Sequence, residues 1–174
     1  MLAVVGLLSA PFSGRAAQTT PNEYRLKAAF LYRFPQFVEW PSAAWRDSSA
    51  VQICVVQPNP FGRDLEAIVR GESLNGRPFS VKEVAAPEAL PGCHLLFVGA
   101  GSPAAGGMLE AARGAAILTV GESERFLDEG GIIALRIVER RVRFDVNASA
   151  AQKAGLRISS QLLSLALTVR GGPS

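Results

Sequence analysis

The chain is poor in the residues from which most catalytic and metal centres are built. It has one histidine, two cysteines and two tryptophans. A lone His94 removes histidine-rich metal sites and leaves a hydrolase triad a single possible base. Charged residues are only 19% of the chain, too few for a disordered tail, while 48% are hydrophobic, enough for a core. The net charge of +3 comes from eighteen Lys and Arg scattered along the chain, and nucleic-acid binding is not expected. A length of 174 residues suits one domain. Such a domain buries roughly two-thirds of its unfolded surface, so neither a metal nor a disulfide is obligatory. No segment has the ~20 apolar residues that crossing a bilayer takes, so direct membrane insertion is not expected.

The first residues read as an address. Residues 1–12 are apolar but short, and Ser13-Gly14-Arg15-Ala16-Ala17 supplies the small residues that a signal peptidase requires. No basic stretch precedes the run, so a start further upstream, or a terminal strand or helix, is the other reading. As a signal peptide the segment covers residues 1–17 and leaves 18–174 as one exported domain. Two cysteines fit an oxidising compartment. Cys54 lies in a β-rich run and Cys93 immediately precedes another. An even count in an exported protein favours a disulfide, worth roughly 4 kcal/mol for a loop of this size, against two buried free thiols.

Helix and strand signals alternate through the body. Over residues 22–39, Leu26, Ala29, Phe30, Phe34 and Phe37 recur at helical spacing, with Pro35 placed to kink or break the helix. A strand surrounds Cys54, a short helix covers 60–70, and 79–84 alternates like a strand with one wet face. Strands are expected again at 95–98 and 115–120, with a helix at 107–113 between them. Residues 132–138 and 142–146 read as a strand pair, and a last helix spans 159–169 from a serine cap. The expected fold is α/β: a single layered domain, mostly parallel sheet flanked by helices, with a late antiparallel strand pair.

The chemical motifs are weak. Gly99-Ala100-Gly101-Ser102-Pro103-Ala104 follows a strand and matches G-x-G-x-x-A, with Glu122 where a ribose-binding acid belongs. Pro103 and the doubled Gly106-Gly107 delay the helix that would meet a pyrophosphate, so a plain loop is the preferred reading. Glu122, Glu124, Asp128 and Glu129 read as solvated charges at the ends of a short helix around Phe126 and Leu127. Cys93 and His94 are neighbours in an extended segment and point to opposite faces, which disfavours a metal site with Cys54. No catalytic residue, metal site or cofactor is expected.

A set of strings in fixed order is more specific. Tyr24-Arg25-Leu26-Lys27-Ala28-Ala29-Phe30-Leu31-Tyr32-Arg33-Phe34, followed by Phe37-Val38-Glu39-Trp40-Pro41, resembles the opening helix of the YfiR family. Asn59-Pro60-Phe61-Gly62, Leu74-Asn75-Gly76-Arg77, Cys93-His94-Leu95-Leu96-Phe97 and Ile117-Leu118-Thr119-Val120 continue the match. It ends with Phe126-Leu127-Asp128-Glu129-Gly130-Gly131, Val142-Arg143-Phe144-Asp145-Val146-Asn147 and Leu156-Arg157-Ile158-Ser159-Ser160-Gln161-Leu162-Leu163. The resemblance implies a periplasmic, non-enzymatic, dimeric regulator. Such a protein binds the periplasmic sensor region of an inner-membrane diguanylate cyclase and holds it off, controlling cyclic di-GMP and biofilm formation. It also places Cys54 and Cys93 at the family's structural disulfide. The chain departs from the family in lacking a second cysteine pair, in having Asn59 where Asp is common, and in Pro35.

A binding module needs exposed amphipathic surface. Phe37, Trp40, Pro41 and Trp45 gather aromatic area, Phe37 being the best candidate for the core. Arg157 precedes a helix that Ser159 or Ser160 caps, an arrangement that suits an anion or a partner carboxylate, or simply a solvated arginine. The candidate partner or ligand residues are therefore Trp40, Trp45, Arg157 and Ser159. The alternatives are a periplasmic small-ligand binder using the Gly99 to Gly107 loop and an exported enzyme of unrecognised type.

Overall fold

Continuous apolar runs form strands covered on both faces. In the computed structural model, which describes residues 21–171, β2 (Val51–Val56) points Ile53 and Val55 into one core and Cys54 and Val56 into another. β5 (Leu95–Val98) divides Leu95 and Phe97 from Leu96 and Val98 in the same way. This is the pattern of a parallel sheet between two helical layers. The segment expected to be a signal peptide, residues 1–17, lies outside the described residues.

In chain order the elements are α1 (Pro21–Arg33), β1 (Val38–Glu39), β2, α2 (Asp64–Val69), β3 (Ser73–Leu74) and β4 (Arg77–Val84). Then come β5, α3 (Ala105–Ala112), β6 (Leu118–Gly121), β7 (Ile133–Val138) and β8 (Arg141–Asn147). The chain closes with α4 (Ala148–Lys153), β9 (Arg157–Ile158), α5 (Ser160–Leu165) and β10 (Val169–Arg170). Eight strands form one sheet in the order β10-β8-β7-β6-β5-β2-β4-β3. The pairs from β4 through β7 are parallel, β7 and β8 are antiparallel, and β1 pairs with β9 as a separate ribbon. Residues of α1 and α2, among them Leu31 and Leu65, join the first core, while Met108, Leu109 and Ala112 of α3 join the second with the Cys54–Cys93 disulfide. The expected α/β class and late antiparallel pair are thus present.

Four helices differ from expectation, and the one expected over 60–70 forms only over Asp64–Val69, after a turn at 61–63. The first ends at Arg33 rather than reaching Glu39, because Pro35 lacks the N–H that would continue it; one 3-10 turn, Phe34–Phe37, leads into β1. Its buried face carries Lys27, Ala28 and Leu31, whereas Leu26 is 46% exposed. The last helix stops at Leu165 rather than Val169, because Val169 and Arg170 pair with the edge of β8. Around Phe126 and Leu127 there is a series of turns and no helix, closed by the Gly131 N–H donating to the Phe126 carbonyl at 2.9 Å.

Candidate functional site

The loop after β5 is occupied by the protein's own groups. Glu122, next to the last residue of β6, accepts from the Ala100 N–H (2.9 Å) and the Tyr24 hydroxyl (3.0 Å), and its other oxygen meets the Lys27 ammonium. Lys27 is buried because Glu122 and Glu23 both lie against it. The acid that a ribose would need is already committed. Ser102 is buried and donates to the Gln57 carbonyl (3.1 Å), which pins the loop further. The cleft beside it is lined by Glu124 and Glu129 as well as Arg125, and Arg125 faces Glu129 at 3.8 Å, a poor setting for a phosphate. Among the described residues no group of three His, Cys, Asp or Glu side chains is placed to hold a metal ion.

His94 is a structural joint. Its ring is buried, Nδ1 accepts from the Gln52 N–H (3.1 Å), and Nε2 then carries the proton and donates to the Ala44 carbonyl (3.1 Å). Burial lowers its pKa, the bond to Ala44 opposes that, and the nearby Arg77 charge lowers it further. The unfolded histidine titrates near pH 6.5, above the folded one. Stability from the neutral ring is therefore complete above that pH and declines as the pH falls, because the unfolded chain takes up its proton first. The melting temperature should fall as the pH drops below about 6.5, and His94→Gln should flatten that slope. An equal slope in both proteins would assign it to other groups.

Around this joint lies the aromatic surface. Trp45 stacks on the His94 ring at 4.3 Å and 17°, and the Arg77 guanidinium lies over the Trp45 ring at 4.8 Å. Trp40 meets Trp45 edge to face at 5.7 Å. Trp40 is buried with the main core, its indole N–H without a partner among the described residues, while Trp45 and Phe37 are half-buried. Arg77 and His94 had no signal as members of this group, since the topology alone brings residues 45, 77 and 94 together.

The β1–β9 ribbon connects the other candidates to it. Glu39 pairs with Arg157, and the Ser159 N–H donates to the Phe37 carbonyl at 2.9 Å. All four candidates therefore fall on two adjoining stretches, 37–45 and 157–159. Arg157 faces Glu39 at 3.6 Å, an exposed pair worth little in stability and easily exchanged for a partner's charge. Ser159 caps α5 by accepting from the Leu162 N–H (3.2 Å), so its oxygen serves the fold.

Fold and site together define a small disulfide-linked α/β domain whose buried charged groups are paired with one another and whose distinctive surface is aromatic and cationic. The chain belongs to the YfiR/HmsC-like family, whose model matches residues 24–167. This is a regulatory, non-catalytic family of periplasmic proteins in cyclic di-GMP signalling. Among solved structures the chain is similar to a conserved domain protein from Vibrio cholerae O1 biovar El Tor, with TM-score 0.51 and 13% identity over 84% of this chain. That likeness concerns the fold, and this chain spans 60% of the other protein. No curated protein matches it. Among the described residues no helix is long and apolar enough to cross a membrane.

Proposed function

We propose that this protein is a periplasmic repressor that binds the periplasmic sensor region of an inner-membrane diguanylate cyclase and so restrains cyclic di-GMP synthesis and biofilm formation. The observation that carries this reading is the family match over residues 24–167. Residues 1–17 serve as the signal peptide, 18–174 form the mature domain, and the domain acts as a homodimer. Trp45 and Arg157 supply the partner contact, Trp40 supports Trp45 from below, and Ser159 holds the ribbon that carries Arg157. Such a regulator works only through different affinities for the off and on states of its target.

Deleting the gene should therefore raise cellular cyclic di-GMP, by about five-fold or more where the coupling is worth over 1 kcal/mol, and deleting the cyclase as well should abolish the rise. In a folded protein, Trp45→Ala should weaken partner binding on the order of thirty-fold, as an aromatic anchor does. Arg157→Glu, on an exposed side chain, tests the same face without disturbing the core. Unchanged cyclic di-GMP in the deletion strain, with an active cyclase present, would overturn the proposal.

A further inference from the structure

The β7–β8 hairpin outreaches the sheet that carries it. β6 pairs with β7 only at Ile133 and Ala134, and β10 pairs with β8 only at Val146 and Asn147. Between Arg136 and Arg143 the ribbon has no neighbouring strand on either side among the described residues. Glu139 and Arg140 form its two-residue turn, both in the left-handed region at φ 49° and 63°. This arm holds four arginines, at 136, 140, 141 and 143, against the single Glu139. That excess of three equals the net charge of the entire chain. The charges of the rest of the chain therefore sum to zero.

The placement of these charges is costly without a ligand. Arg136 and Arg143 stand directly opposite each other on one face, and Arg141 follows on the same face opposite Val138. Like charges in such pairs destabilise a ribbon. Asp145 answers only Arg136, and also accepts from the Thr168 hydroxyl at 2.7 Å. Arg140, Arg141 and Arg143 are exposed and have no carboxylate partner among the described residues. Guarding an open sheet edge would account for arginines alone. It does not account for Ile137 and Val138, 47% and 40% exposed at the tip between them.

We propose that this arm is a membrane-surface anchor, with the arginines binding the phosphates of an anionic phospholipid bilayer and the tip resting among the headgroups. Ile137 and Val138 are successive strand residues and point to opposite faces of the ribbon. A protein partner lying on one face would cover only one of them, whereas end-on entry into the headgroup layer buries both. Guanidinium groups suit lipid phosphates through paired N–H donors. Besides Asp145 and Glu139, the acids near the arm are Glu23, Glu122 and Glu124, which share a cleft with Arg136, Ile137 and Val138, and Glu23 and Glu122 are held by Lys27. This is attachment to a surface, not a span.

The test is sedimentation of the purified full chain with vesicles of phosphatidylethanolamine containing about a quarter phosphatidylglycerol, beside vesicles of phosphatidylcholine alone. The protein should pellet with the anionic vesicles and be released by about 0.5 M salt. Each arginine near such a surface is worth roughly five-fold in partitioning, so Arg141→Glu with Arg143→Glu should reduce binding on the order of 25-fold or more. Ile137→Ser with Val138→Ser should reduce it several-fold. Melting temperatures no lower than that of the wild type establish that the variants are folded, and Arg140→Ser, at the turn, provides a milder charge change. Failure of the wild type to pellet, or equal pelleting of the charge-reversed variant, overturns the proposal. So does loss of a protein partner from the charge-reversed variant with no vesicle binding by the wild type, which would assign the arm to protein recognition. The arm shares no residue with the 37–45 and 157–159 stretches, so its failure leaves the regulatory reading standing.

Discussion

Gly131→Ala should cost about 3 kcal/mol, at the upper end of overpacking effects, and lower the melting temperature by roughly 10 °C. The reason is the Phe126 ring. It is 1% exposed, in the second core, and lies against backbone at both Gly121 and Gly131. A methyl group at Gly131 would overlap the ring edge and stand 2.7 Å from the Phe126 carbonyl oxygen, so both ring and turn would have to move. At Gly121 a methyl group would overlap the same ring, with its Cγ at 2.7 Å, so Gly121→Ala should behave alike. Gly107→Ala is the contrast. That position lies in α3 with open space around it and without a positive φ, so alanine there should raise stability by about 0.5–1 kcal/mol. Equal melting temperatures for the Gly107 and Gly131 variants would refute the packing argument.

The same region shows where sequence reasoning reached its limit. Phe126 and Gly131 both stand in a string shared with the family, but the contact between them depends on a chain of turns that hydrophobic spacing does not encode. Strands were easier to read. The runs 53–56 and 95–98 are apolar at every position because both faces are covered, and Pro35 and Gly71 punctuate the chain as such residues do. Lys27 shows the opposite case. On a helical wheel it belongs outside and Leu26 inside, yet Lys27 is buried because Glu122, contributed by a distant strand, neutralises it. Val169 reads as the end of a helix until the edge of β8 offers it a ladder.

The candidate site divides along the same line. Trp40 and Trp45 are close in sequence and meet in space, and Arg157 and Ser159 join them through a two-residue ribbon. Arg77, at the start of β4, and His94, just before β5, complete the stack. The arginine arm was hidden in a different way. Charge totals over the whole chain describe it as scattered, and only strand register shows that 136, 143 and 141 share one uncovered face.

Replacing both cysteines by alanine should lower stability by about 3–4 kcal/mol and leave a folded protein. Cys54 and Cys93 are joined, with Cα atoms 5.8 Å apart and a separation of 39 residues along the chain. In the chain-entropy treatment a loop of that length contributes about 4 kcal/mol by restricting the unfolded state. The sheet survives because β2 still pairs with β4 and β5. Cys54→Ser alone should be worse than the double alanine variant. It leaves a hydroxyl and a thiol in a cluster formed with Val56, Leu96 and Met108, where neither gains a good partner. The effect should reach the aromatic surface, since Cys93 adjoins His94 and the His94 ring supports Trp45. Loss of the bridge should therefore weaken binding through Trp45 as well as lower the melting temperature. Thiol labelling of unfolded, unreduced protein provides the direct check: no reactive thiol is expected, and two per chain would remove the bridge and both consequences with it.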